Sequence, residues 1–324
     1  MDRDMEQCEG KLITLAVVCY NFEKYIAEAL DGAFAQTYSP LEILISDDCS
    51  TDRTWEIVQA KVAMYHGPHR IKLSRNPVNL GLALHENKIF ELAQSDWIVF
   101  QSGDDVSMPN RVERVSKEIA RNSRLKCIHC RCQIIDENGQ IVELPKRIKD
   151  REDYKPETFR VPGILGAGAV YHRDIYDVFG PLGSHVLNED QVLPLRAKLL
   201  GEIKFIDEKM VQYRKHLDNL SGNDLIRVAK KEQNAIYRKK IALSYYQELM
   251  DLQWLDLQHP EMFNEIIRYR RLIEDNIKIA FYLSTWVLRP RMRGWLFWCL
   301  IFSPRMLSLF ITRAYYRLIR SLSR

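Results

Sequence analysis

Between residues 12 and 101, apolar runs of β type alternate four times with stretches of helical periodicity. Strands and helices repeated in that order bury their apolar surface in a mainly parallel sheet with helices on both faces. The first run, LITLAVVCY at 12–20, lacks in-and-out alternation, as a strand covered on both sides requires. YIAEALDGAFAQ at 25–36 then places Ile26, Ala29, Leu30, Ala33 and Phe34 on one helical stripe. LEILISD follows as a strand, TWEIVQAKVAMY (54–65) as a helix, IKLSR (71–75) as a short strand, a third helix spans 82–93, and WIVFQ (97–101) is the fourth strand.

The pattern then loosens. After a turn through Pro109 into a basic helix start, CIHCRCQIID (127–136) reads as a strand closed by the turn ENGQ, and PKRIKDREDYKPE (145–157) as a solvated loop. VPGILGAGAVYHRD (161–174) is rich in small residues, and its Gly166 and Gly168 suit either close approach to a ligand or packing against a neighbouring strand. NEDQVLPLRAKLLG (188–201) reads as a helix whose opening acids sit at the positive end of its dipole. From residue 224 the pattern is helical almost throughout, so the chain divides on this reading into an α/β region, 1–223, and a helical region, 224–324.

With 324 residues, 46% of them apolar, the chain buries a sizeable core and is not a disordered protein. Its 47 basic and 43 acidic residues leave a net charge of +4, which does not point to a nucleic-acid partner. The charge is unevenly spread: after Asp275 no acidic residue occurs, while Lys278, Arg289, Arg291, Arg293, Arg305, Arg313, Arg317, Arg320 and Arg324 follow. The most apolar run there, GWLFWCLIFSP (294–304), has about half the length needed to cross a bilayer and stops at Pro304. Aromatic side chains interleaved with arginines over 289–324 suit helices lying in an anionic lipid interface, the alternative being a hairpin packed on protein. Seven irregularly spaced cysteines argue for a reducing compartment, and MDRDMEQCEG has no signal-peptide core. The expected location is therefore the cytoplasmic side of the membrane, peripherally bound.

In open α/β sheets ligands bind beyond the carboxyl ends of the strands. Three acidic groups fall at such ends or in the loops beyond them: ISDDCSTD (45–52), SGDDVSMP (102–109) and NEDQ (188–191). Aspartate after a strand is also ordinary turn chemistry. Adjacent carboxylates such as Asp104 and Asp105, however, suit a hard divalent cation that keeps sites open for phosphate oxygens. Neither GxGxxG nor GxxxxGKS/T is present, so a bound diphosphate would be held by metal and side chains. CIHCRC has zinc-ligand residue types, but strand alternation puts Cys127 and His129 on one side and Cys130 and Cys132 on the other, away from a common tetrahedral centre.

VVCYNFEKYIAEALDGAFAQTYSPLEILISDDCSTDRTWEIV resembles the opening of the family 2 glycosyltransferases: an apolar strand, Tyr-Asn, then Gln-Thr-Tyr before a strand ending in DDxSTD. NLGLALHENKIFELAQSDWIVF resembles that family's linking helix and strand, QSGDDVSMPNRV its metal-binding DxD segment and NEDQVLPLR its ED motif, so the likeness covers roughly residues 11–222. It implies a GT-A fold, a nucleotide-sugar donor, often of uridine, and inversion at the anomeric carbon. Carried over, Asp48 would bond the nucleobase, Tyr20 would lie against it, and Asn21 would belong to the same donor site. Asp104 would touch the donor's ribose or sugar, and Asp105 would ligate Mg²⁺ or Mn²⁺. Asp190 would be the general base, and Glu189 beside it, pointing elsewhere on the helix, would contact the acceptor. QYRKHLDNLSG (212–222) resembles a segment near the end of this catalytic domain and reads as a polar loop; His216 would be a third metal ligand or a diphosphate contact and Arg214 would meet phosphate charge, unless both are simply solvated there. Ser102 departs from the pattern, since many relatives carry aspartate there.

The activity so implied is an inverting, metal-dependent hexosyl- or hexosaminyltransferase that uses a UDP-sugar and a lipid-linked or surface-polysaccharide acceptor. Two alternatives stand beside it. A nucleotidyltransferase on a similar sheet would need a basic, glycine-rich loop after the first strand, where CYNFEKY stands instead; a non-catalytic membrane scaffold would have no use for a base.

Overall fold

The structure, a computed structural model, describes residues 10–142, 166–184, 186, 189–216, 219, 247, 248 and 250–252. The expected loop at 145–157 and the basic tail at 289–324 lie outside the described residues, as does nearly all of the helical region. The chain divides into two compact units, Met1–Asn223 and Asp224–Arg324. In the second, Gln247, Glu248 and Met250–Leu252 are helical, and Gln247 Nε2 donates to Asp251 Oδ1 at 2.9 Å. Among the described residues no helix is long and apolar enough to cross a membrane.

The first unit alternates as its apolar pattern requires. β1 (Ile13–Cys19), α1 (Ile26–Phe34), β2 (Leu41–Asp47), α2 (Thr54–Ala63), β3 (Arg70–Arg75), α3 (Leu82–Leu92) and β4 (Trp97–Ser102) follow one another. Then come β5 (Val106–Ser107), α4 (Arg111–Arg121), β6 (Leu125–Ile135), a 3-10 turn at Gly166–Gly168 and β7 (Ala169–His172). The unit's last described elements are α5 (Asp174–Asp177), α6 (Glu189–Leu200) and β8 (Glu202–Arg214).

One eight-stranded sheet runs in the order β3-β2-β1-β4-β7-β6-β8-β5. β1 is parallel to β2 and β4, β2 to β3, and β6 to β8. β7 lies antiparallel between β4 and β6, and β5 antiparallel to β8, so the sheet is mostly and not wholly parallel. Successive side chains of each strand feed two cores. Ile13, Leu15 and Val17, with Leu41, Ile43, Ile45 and Val99, pack under α1, α2 and α4. Ala16, Leu44, Ile98, Phe100 and Cys127 pack with Ala83, Ile89 and Phe90 of α3 and Val192 and Leu193 of α6.

Two glycines set how tightly this frame closes around the acidic segment. A Cβ on Gly32 of α1 would come within 2.7 Å of Val106 Cγ1 and 2.9 Å of the Ser107 carbonyl, so α1 approaches β5 only because that atom is missing. A Cβ on Gly103 would lie 2.8 Å from Cys19 Cβ, which lets the end of β4 turn beside the end of β1.

Candidate functional site

The carboxyl ends of β1, β2 and β4 share one edge of the sheet because these strands are parallel. β8 points the same way, so α6, which runs directly into its start, must begin at that same edge. The topology therefore gathers three acidic groups that the sequence spreads over more than a hundred residues.

The loops after β1 and β2 are stitched together by side chains. The Asn21 N–H donates to Ser50 Oγ (2.9 Å), and Asn21 Oδ1 accepts from the Thr51 N–H (2.8 Å). The Phe22 N–H reaches Thr54 Oγ1, and the Glu23 N–H reaches Asp52 Oδ2. Asn21 (φ 56°) and Cys49 (φ 63°) occupy the left-handed region that these tight turns demand. Tyr20, 40% exposed, stands at the edge where a flat ring would lie against a ligand. Asn21 is thus a loop stitch through its carbonyl oxygen.

Of the pair ending β2, Asp47 is the structural member: its Oδ2 accepts from the Ser50 N–H (3.0 Å) and from Arg75 Nε (3.1 Å), and Arg75 in turn lies over the Trp55 ring. Asp48 faces the next loop. Its Oδ1 accepts from Asn76 Nδ2 (2.8 Å) and the Leu80 N–H (2.9 Å), and its Oδ2 from the Gly81 N–H (2.9 Å). A carboxylate has about four acceptor directions, so Asp48 keeps one for anything bound at this edge.

Asp104 and Asp105 are enclosed, 5% and 0% exposed. Asp105 Oδ1 accepts the Arg214 N–H at 2.9 Å, while Asp104 Oδ2 lies 2.9 Å from His216 Nε2 and accepts from Asn219 Nδ2 at 3.3 Å. Asp104 Oδ1 and Asp105 Oδ2 are buried without a hydrogen-bond partner. Burial, and next to it the Asp104 charge, pushes the Asp105 carboxyl well above its ordinary pKa. Two orphaned carboxylate oxygens on adjacent residues fit a hard cation, which would remove both the desolvation cost and the mutual repulsion. Among the described residues no cluster of three or more His, Cys, Asp or Glu forms a ready-made cage; a Mg²⁺ or Mn²⁺ site that leaves positions open for phosphate needs only one or two carboxylates.

His216 packs on Tyr25 (centroids 4.8 Å apart) and edge-on to Phe22, and with Asn21–Tyr25 and Asp52 it lines an open pocket. Arg214 corrects the expectation of a phosphate contact in a polar loop. It ends β8 and is 1% exposed, with Nε donating to the Asp104 carbonyl (2.9 Å), Nη1 to the carbonyls of Asp136 and Glu137, and Nη2 to Glu28 Oε2 (2.5 Å). Its guanidinium is committed to protein on all sides and lies over the Tyr25 ring, so it is a strut beneath the Asp104–Asp105 turn.

Glu189 and Asp190 open α6, half-buried. Pro194 lacks the N–H that would bond the Asp190 carbonyl in a regular helix, so the first turn is held only in part by the helix ladder. Burial raises the Asp190 pKa to about 6; burial and then the Asp190 charge raise Glu189 to about 8. The sequence reading missed Glu86, a buried carboxyl on α3 whose pKa is pushed well up by burial, then by Glu189 and Asp190. Its signal was a charged residue on the stripe that carries Ala83, Asn87 and Phe90 into the core.

A family model for glycosyl transferase family 2 matches residues 14–180, more than half of the chain. The chain belongs to that family. Among similar proteins, an uncharacterized protein of Mycobacterium tuberculosis is 27% identical over 207 residues, 63% of this chain and 59% of that one. The hyaluronan synthase of Pasteurella multocida is 24% identical over 268 residues, 81% of this chain and 26% of the synthase. The chain thus spans less than two thirds of the length of these relatives. Among solved structures, S. aureus TarS 1-349 superposes with a TM-score of 0.56 at 17% identity, covering 89% of this chain and 86% of TarS. The mannosyltransferase PcManGT of Pyrobaculum calidifontis, in complex with GDP-Man and Mn²⁺, gives 0.56 at 16% identity, covering 94% and 80%. At such identities the likeness is one of fold.

Proposed function

We propose that this chain is an inverting glycosyltransferase that moves a sugar from a nucleotide-sugar donor, a UDP-sugar by the family resemblance, to a hydroxyl of a lipid-linked or polysaccharide acceptor. The observation that carries this reading is the gathering of acidic groups at one edge of the sheet: the orphaned oxygens of Asp104 and Asp105 beside the ends of β1 and β2, and the carboxyls opening α6 at that same edge. Burial raises the Asp190 carboxyl to about 6, which leaves it ionised at neutral pH and still basic enough to take a proton from an acceptor hydroxyl.

In the reaction, Asp190 takes the proton as the acceptor oxygen bonds to the anomeric carbon, and the bond from that carbon to the diphosphate oxygen breaks with inversion. Asp104 and Asp105 would hold a divalent cation through their orphaned oxygens, with His216 beside Asp104. A bound cation would supply charge neutralisation for the departing nucleoside diphosphate. Asp48, with its remaining acceptor direction, and Tyr20 would receive the base. Support for Mn²⁺ and nucleotide sugars also comes from neighbours of this fold solved with UDP-GlcNAc and with GDP-Man and Mn²⁺. The acid-free, arginine- and aromatic-rich tail supports a site of action at the cytoplasmic membrane surface, where a lipid-linked acceptor resides.

The test is release of nucleoside diphosphate from a panel of UDP- and GDP-sugars by the purified chain. One donor should be turned over, and Asp190→Asn should bind that donor with similar affinity yet lose turnover by at least about 10²-fold. Near-normal turnover in the variant removes Asp190 from the role.

A further inference from the structure

Arg111 opens α4 and is 0% exposed. Its guanidinium donates to oxygens on three separate segments: Nη1 to Ser107 Oγ of β5 (2.9 Å), and Nη2 to the Phe100 carbonyl of β4 (2.9 Å) and the Ala167 carbonyl (3.0 Å). The first two acceptors bracket Asp104 and Asp105, so one planar group grips the acidic segment at both of its ends. The third belongs to the 3-10 turn Gly166–Gly168, which is held on two other sides as well. A Cβ on Gly168 would come within 3.1 Å of the Cys130 carbonyl of β6, and a Cβ on Gly166 would lie 3.5 Å from Glu189 Oε1. The turn therefore rests on the first residue of α6, next to Asp190.

All three acceptors of Arg111 are neutral, and its Nε has no hydrogen-bond partner. A buried cation bonded to neutral oxygens gives up its hydration without gaining a carboxylate, a cost that an apolar side chain of similar volume would avoid. What the apolar side chain could not supply is a rigid fork of donors at fixed angles. We propose that Arg111 is a positioning residue: it fixes the distance between the acidic segment at 104–105 and the base-bearing start of α6, acting through Ala167, Gly166 and Glu189. Being fully buried, it touches neither donor nor acceptor. Its effect is on rate, because a misplacement of about 1 Å between reacting groups costs up to about 10²-fold. This inference rests on Asp190 being the base.

The test uses the full-length chain with Arg111→Lys, which keeps the charge and loses the fork, Arg111→Met, which loses both, and Gly166→Val, which crowds Glu189 from the side of the turn. Arg114→Met is the control, because Arg114 sits on the same helix but pairs outward with Glu118 and Glu208. With the donor identified by the panel and saturating Mn²⁺, both Arg111 variants and Gly166→Val should lose at least about tenfold in kcat. The donor KM should stay within about threefold of wild type, since no bond of Arg111 reaches the loops that carry Tyr20 and Asp48. Arg114→Met should keep its kcat within about twofold. A second readout needs no substrate. In Arg111→Met, backbone amide exchange over 103–107 and over 166–169 should quicken together by at least about tenfold, while that over 13–19 and 41–47 stays as in wild type. A general loss of stability would quicken all four segments. Wild-type kcat in either Arg111 variant overturns the proposal, as does a rise in donor KM at unchanged kcat, or faster exchange at 103–107 with none at 166–169. If neither Arg111 variant folds, Gly166→Val decides: lost kcat at an unmoved KM supports the role, and wild-type kcat overturns it. If Asp190→Asn itself turns over, it is the reading of the base that has failed; if that variant is inactive and the Arg111 variants are not, it is the positioning role.

Discussion

Replacing Arg214 by methionine separates the strut from the phosphate contact. The side chain is fully buried, so the loss can be worked from its partners. The Asp104 carbonyl, enclosed in the turn, loses its Nε donor, at about 1–3 kcal/mol for an orphaned buried acceptor. The carbonyls of Asp136 and Glu137 lie nearer solvent and recover water, so they add about 0.5 kcal/mol. The pair with Glu28 is discounted to about 0.5 kcal/mol because Glu28 is 54% exposed. Loss of the guanidinium over Tyr25 adds about 1 kcal/mol. The sum is about 4 kcal/mol, and methionine's own packing returns part of it, leaving about 3 kcal/mol. In a unit of this size that is about 6–12 °C in Tm, to be measured by tryptophan fluorescence on heating. Turnover should fall as well, because the turn carrying Asp104 and Asp105 loosens. A Tm within about 2 °C of wild type, together with a tenfold or larger rise in donor KM, would refute the strut and return Arg214 to the diphosphate.

The pH dependence follows from the base: kcat/KM should fall about tenfold per pH unit below about 6 as Asp190 takes up its proton; a profile flat from pH 4.5 to 7 contradicts this. Removing divalent cations with a chelator should abolish turnover, with Mn²⁺ or Mg²⁺ restoring it, and Asp104→Asn should weaken that restoration at least about tenfold; full activity in chelator would exclude the cation from Asp104 and Asp105. Deleting residues 289–324 should release the protein from vesicles containing anionic phosphatidylserine, measured by co-sedimentation. A full-length chain that does not sediment with such vesicles would make the tail a packing element instead.

The sequence by itself determined the alternation of strands and helices through β4, because a doubly covered strand and an amphipathic helix each leave an unmistakable local period. It also marked Asp48, Asp104, Asp105 and Asp190, since acids at strand ends are conspicuous where apolar residues are the rule. Only the tertiary structure decided which partners those acids have. β7 slots between β4 and β6 against the parallel trend, and β8 turns a stretch read as a polar loop into the strand that delivers Arg214 beneath the turn. Asp47 and Asp48 are adjacent and chemically identical, yet one pairs with Arg75 and the other ties down residues 76–81, a difference set by which side of β2 each side chain leaves. Glu86 looked like any charged residue of a helix. Its burial follows from tertiary packing, where removal of water pushes its pKa well up, and no local pattern encodes that environment.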